Sequence, residues 1–156
     1  MTACIVFKSL AIISLALQTT LSIAAPALPY DETANAKTEL QAGLTSARQQ
    51  QKPLLIIFGA NWCPDCRALG AALNGRVGKL IDEHFVVVKV DIGNFDKNME
   101  LSEHYGTPTK KGIPAAVVVG ADDSVLYATK AGELANARRM SDSGLYDFFR
   151  SVIAGL

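Results

Sequence analysis

Cysteine is scarce in this chain, with three in 156 residues, at positions 4, 63 and 66. That excludes a scaffold stapled by several disulfides, which needs paired cysteines spread along its length. Histidine is scarcer still: His84 and His104 are the only two, and their spacing from the cysteines matches no zinc finger. Neither sign of charge is in excess, since 15 acidic side chains balance 15 basic ones. Arg138-Arg139 and Lys110-Lys111 are isolated pairs without interleaved aromatics, so nucleic acid is not an expected partner. An apolar run of the roughly 20 residues needed to span a bilayer is also missing. The stretch Leu10 to Leu17 gives way to Gln18, Thr19 and Thr20.

What is present divides the chain in three. Lys8, the apolar stretch behind it and the small-x-small site Ser22-Ile23-Ala24 together read as a secretory signal peptide over residues 1–24. Residues 25–37, rich in Ala, Pro and polar side chains, read as a flexible leader. Residues 38–156 read as one globular domain, and a hydrophobic content of 49% is enough for a real core. Cleavage after Ala24 would remove Cys4 and leave Cys63 and Cys66 as the cysteines of an exported protein, periplasmic or secreted. A bridge between them would close too short a loop to restrain the unfolded chain much. A redox role is therefore expected rather than a structural one.

The pattern along the domain alternates. Leu40, Leu44 and Ala47 share a helical face from Thr38 onward, and Lys52-Pro53 ends it. Leu54 to Phe58 is apolar throughout, as a strand buried on both faces should be. A helical stretch follows the cysteines, broken at Asn74-Gly75, with Val77, Leu80 and Ile81 beyond it. Phe85 to Val90 reads as a second strand and Met99 to Tyr105 as a short helix. Thr107 to Gly112 reads as a loop, and its lysines Lys110 and Lys111 as solvated. Ala115–Val119 and Val125–Thr129, joined by a Gly/Asp/Ser turn, read as an antiparallel hairpin. Gly132 to Met140 is an irregular connection, and Ser141 caps a last helix carrying Leu145, Phe148, Phe149, Val152 and Ile153. The helical crossover makes the first two strands parallel, so the sheet is mixed and helices cover both faces.

The chemistry gathers at Asn61-Trp62-Cys63-Pro64-Asp65-Cys66-Arg67, where the first strand passes into a helix. A thiolate is the reactive form of cysteine, and the unpaired N–H groups and positive dipole end of a helix N-terminus favour it at Cys63. Cys66, one turn later, is placed to attack a mixed disulfide formed at Cys63. Pro64 suits the first helical turn, where its missing N–H has no helical partner. Asp65 suits the dipole but opposes a nearby thiolate as a like charge, which points to a reductase rather than a strong oxidant. Trp62 reads as functional packing beside the site, a substrate-binding position rather than core filler.

The Trp-Cys-x-x-Cys at a strand-to-helix junction, followed by Gly112-Ile113-Pro114 opening a strand, resembles the thioredoxin superfamily from about Leu40 to the C-terminus. The resemblance implies an α/β fold, a three-layer α/β/α sandwich on a mixed four-stranded sheet in the order 2-1-3-4. It also implies Cys63 exposed at the helix start and a cis Pro114 beside it. Ile113 would then pair with an extended substrate, and the dithiol would be kept from metal. The cofactor is then the Cys63–Cys66 redox disulfide itself, with no metal. The expected partners are protein disulfide substrates and a membrane thiol donor, and the expected state is a monomer. The chain departs from thioredoxin in two places. Ile57 stands where a buried Asp assists the second cysteine, and the connection before Pro114 is longer, bringing Lys110 and Lys111 toward the catalytic rim. The competing reading is a copper-handling or non-catalytic binding module, since a dithiol also captures soft metals.

Overall fold

The computed structural model describes residues 27–156; the signal-peptide reading, Cys4 and the start of the leader lie outside them. Helix α1 (Ala36–Gln50) starts two residues before the Thr38 expected from its apolar spacing. The cause is Asn35, whose side chain accepts the Thr38 N–H at 3.1 Å. Gln51 closes the helix in the left-handed conformation, and Lys52-Pro53 leads into β1 (Leu54–Gly59). Then come α2 (Pro64–Ala72), α3 (Arg76–His84), β2 (Val86–Asp91) and α4 (Met99–His104). A short 3-10 turn, Pro108–Lys111, precedes β3 (Ala115–Val119) and β4 (Val125–Ala128). A second one, Ala137–Arg139, precedes α5 (Asp142–Ala154).

The break at Asn74-Gly75 separates α2 from α3. Gly78 makes the tight junction possible, because a Cβ there would run into the Leu73 carbonyl. The sheet order is β2-β1-β3-β4, with β1 and β2 parallel and the other pairs antiparallel. This is the mixed sheet implied by the resemblance. Every residue of β1 is buried, as its unbroken apolar run requires of a central strand.

Strand alternation distributes that burial between two layers. Leu54, Ile56 and Phe58 point with Val88, Val90, Val117 and Val119 toward Leu40, Leu44 and Ala47 of α1. Leu55 and Ile57 point with Ala116 and Val118 toward Val77 and Ile81 of α3 and Leu145, Phe149 and Val152 of α5. Both cysteines belong to the α1 side and Ile57 to the other. Ser141 caps α5 by accepting the Gly144 N–H at 3.0 Å. Among the described residues no helix is long and apolar enough to cross a membrane.

The flexible-leader reading of residues 25–37 is corrected over its described part. Tyr30 is 5% exposed and belongs to the α1-side core. Its backbone N–H donates to Asn61 Oδ1 at 3.0 Å, and Asn61 Nδ2 donates back to the Tyr30 carbonyl at 2.9 Å. Two hydrogen bonds and an aromatic ring hold this segment against the end of β1. Its composition, without apolar periodicity, conceals a single anchoring residue.

Candidate active site

The end of β1 and the first turn of α2 set the two thiols. Gly59 ends the strand, and Cys63 takes an extended conformation as the N-cap of α2. Its Sγ accepts the Cys66 N–H at 3.3 Å, doing for the helix what a Ser or Asp oxygen usually does. Pro64 occupies the first turn, where no N–H is missed, and is exposed. The Cys63 thiol donates to the Ile113 carbonyl at 3.5 Å, and the Ile113–Pro114 peptide is cis. Cys63 and the Ile113–Pro114 pair are thus brought together from two separate stretches of chain.

Cys63 is 4% exposed, which corrects the expectation of an exposed thiol. The N-cap role turns its sulfur inward over the first turn and under Ile113. Cys66 is more buried still, at 1%. Burial pushes its thiol well above the ordinary range, reinforced by the hydrogen bond with Cys63 and opposed by the Ala60 backbone and the Tyr30 hydroxyl. Both cysteines are free thiols.

Asp65 is buried and engaged by the segment that precedes α5. Its Oδ1 accepts the Arg138 N–H at 3.0 Å and lies 3.8 Å from the Arg138 guanidinium. The carboxylate ties the first turn of α2 to the 3-10 turn at Ala137–Arg139, ordering a stretch that reads as irregular in sequence. The Thr107–Gly112 loop is likewise more ordered than expected. Pro108 and Thr109 are buried, and the Ser102 and Thr109 hydroxyls share a 2.7 Å hydrogen bond, while Lys110 and Lys111 are exposed.

Trp62 forms the outer rim. It is 50% exposed, its Nε1 donates to the Gly93 carbonyl at 2.8 Å, and its ring lies 6.2 Å from that of Phe95. Phe95, 45% exposed, holds φ of 64°, unusual for a bulky residue. Nothing in the Gly93–Asn98 loop sequence singles it out.

Tyr30 is the other neighbour that sequence reasoning misses. A Cβ on Gly59 would overlap the Tyr30 hydroxyl and come within 2.8 Å of Cys66 Sγ, so glycine at 59 leaves room for those two groups to meet. Burial pushes the Tyr30 phenol well up, helped by the neighbouring Cys66, Cys63 and Asp91. Asp91, paired with Lys97 at 3.6 Å, keeps its buried Oδ2 without a hydrogen-bond partner. Among the described residues no three His, Cys, Asp or Glu side chains gather into a metal-holding group.

With this sheet order and this dithiol, the protein falls in the class of thiol–disulfide oxidoreductases. Residues 35–121 match the family model described as thioredoxin-like, and the chain belongs to that family. It is similar to a structure described as a disulphide isomerase from Xylella fastidiosa Temecula1, at 55% identity and a TM-score of 0.79, over 82% of this chain and 98% of that one. A thioredoxin of Buchnera aphidicola is 30% identical over 98 residues, covering 63% of this chain and 82% of its own. The oxidised C-terminal domain of Neisseria meningitidis DsbD shares the fold, with a TM-score of 0.56 at 21% identity over 76% of this chain and 96% of that domain.

Proposed function

We propose that the protein is an exported thiol–disulfide oxidoreductase that reduces or isomerises protein disulfides, with Cys63 as nucleophile and Cys66 as resolving thiol. The observation that carries this reading is the position of Cys63 Sγ, capped by the Cys66 N–H at 3.3 Å and lying 3.5 Å from the Ile113 carbonyl. One sulfur is held by a helix N-terminus beside a backbone edge that an extended peptide can meet. In the reaction the Cys63 thiolate attacks one sulfur of a partner disulfide and releases the other as a thiolate. Cys66 then attacks Cys63, the mixed disulfide breaks, and the second partner sulfur leaves and takes up the proton. The partner gains two electrons and two protons, and Cys63 and Cys66 become a disulfide.

A membrane thiol donor is the electron source that an exported reductase requires. The similarity to the Xylella protein supports protein disulfides as substrates.

Trapping tests the mechanism. Cys66→Ser should accumulate a covalent partner through Cys63, and Cys63→Ser should not; equal trapping by both variants, or by neither, would sink it. Equilibration with glutathione tests direction, where a potential near about −270 mV supports a reductase and one near about −120 mV opposes it. The N-terminus of the native protein tests export, because an intact Met1 would contradict it.

A further inference from the structure

We propose that the Tyr30 hydroxyl is the hydrogen-bond donor that receives the developing charge on Cys66 Sγ in the resolving step, a role that the apolar Ile57, packed on the opposite face of the sheet, cannot fill. The proposal rests on the reading of Cys66 as the resolving thiol.

Three independent features place the hydroxyl there. Tyr30 is 5% exposed, and its ring sits in the same core layer as both cysteines. Its backbone is held on both sides by Asn61, two residues before Cys63, so the ring cannot leave without breaking bonds of 3.0 and 2.9 Å. Gly59 lacks the side chain that would otherwise occupy the space between the hydroxyl and Cys66, and any Cβ there would overlap the tyrosine oxygen. Ile57 faces the opposite layer, packed with α3 and α5, and brings no polar atom to the thiols.

The groups facing the phenol are Cys66, Cys63 and the Asp91 carboxylate, the last paired with Lys97. All three that carry or acquire negative charge oppose its ionisation, and burial opposes it further. Tyr30 therefore keeps its proton throughout the neutral range and acts as a donor, not as a base. Cys66 gives up its proton to water, its thiolate electron pair forms the bond to Cys63 Sγ, and the bond between Cys63 and the partner breaks with its electron pair leaving on the partner sulfur. The leaving partner sulfur takes up a proton, so the count of protons on protein and partner is unchanged. The Tyr30 O–H holds the charge on Cys66 Sγ between loss of that proton and formation of the new S–S bond, and is itself neither consumed nor oxidised.

Tyr30→Phe keeps the ring and removes only the oxygen. A mixed disulfide is first formed on Cys63 with a small aromatic disulfide, and release of the second thiol is followed by stopped flow from pH 6 to 10. A donor to a developing charge is worth enough that release should slow about tenfold at pH 7. The rate should recover as pH rises, so the profile moves to higher pH. Formation of the first adduct, measured in a Cys66→Ser background with and without Tyr30→Phe, should change by less than about twofold. Unchanged release and pH profile in the variant would overturn the role, as would uniform slowing at every pH together with a loss of thermal stability. Failure of Cys66→Ser to form any adduct at Cys63 would instead remove the two-thiol reading, and this proposal with it.

Discussion

Tyr30 and Asn61 hold each other through a reciprocal pair of hydrogen bonds, backbone N–H to Oδ1 at 3.0 Å and Nδ2 to backbone carbonyl at 2.9 Å. A side chain two residues before Cys63 thus completes the hydrogen bonding of a segment that lies before the first helix. Asn61 also donates to Glu32 at 2.9 Å.

Asn61→Ala leaves the buried Tyr30 N–H and carbonyl without these partners. Each unpaired buried group costs about 1–3 kcal/mol, so a loss of roughly 2–4 kcal/mol is expected in urea unfolding at neutral pH. Exchange of the Tyr30 amide should also accelerate. A loss below about 0.5 kcal/mol would show that the segment is not anchored at this residue.

The reduced protein should lose stability in alkali because of Cys66. Its folded thiol is raised above the ordinary value of 9.0, so the unfolded chain releases that proton first. Stability is then complete below about pH 9 and falls as pH rises beyond it, by at most about 1.4 kcal/mol per pH unit for one proton. Tyr30, also raised, adds a decline of the same sign above its ordinary value of 10.0. Comparing urea midpoints at pH 7, 9 and 10 for the reduced protein and for reduced Cys66→Ser isolates the cysteine. Parallel declines in the two would refute the assignment.

Asp65→Asn should alter the redox potential little. The carboxylate is engaged by the Arg138 N–H and guanidinium, so its charge is partly compensated before it can act on the sulfurs. The glutathione equilibrium constant is expected to stay within about threefold, roughly 15 mV. Asp65→Ala should cost about 1 kcal/mol in unfolding experiments, because the Arg138 N–H loses its acceptor. A tenfold shift on Asp65→Asn would restore the direct electrostatic role read from the sequence.

Trp62→Ala should separate protein substrates from small ones. The indole is half exposed and tilted against Phe95, so its removal takes apolar surface from the rim rather than from the core. Turnover of a protein disulfide should fall several-fold with stability changed by less than about 1 kcal/mol, while reduction of a small aromatic disulfide is retained. Equal losses on both substrates would assign Trp62 to the geometry of the thiols instead.

Much of the fold is legible in the order of residues. Leu54–Phe58 is apolar at every position and is buried at every position, because a central strand has no wet face. The Asn74-Gly75 break, the hairpin of β3 and β4 and the Ser141 cap are local events, governed by turn chemistry and capping within a few residues. The Cys-x-x-Cys pair is local for the same reason, since one helical turn brings the Cys66 N–H to Cys63 Sγ.

What surrounds that pair was decided by tertiary structure. Ile113 reaches Cys63 because β3 lies antiparallel beside β1, and Asp65 meets Arg138 because the segment before α5 returns across α2. Tyr30 has no periodic partners to announce it, yet it fills the space beside Cys66 that Gly59 leaves open. Sequence alone supplied the two thiols of the proposed chemistry, because two cysteines three positions apart along a helix are one turn apart, which is a local fact. Only the packed chain decided what those sulfurs touch, because a single anchoring residue leaves no pattern until the surface that receives it has formed.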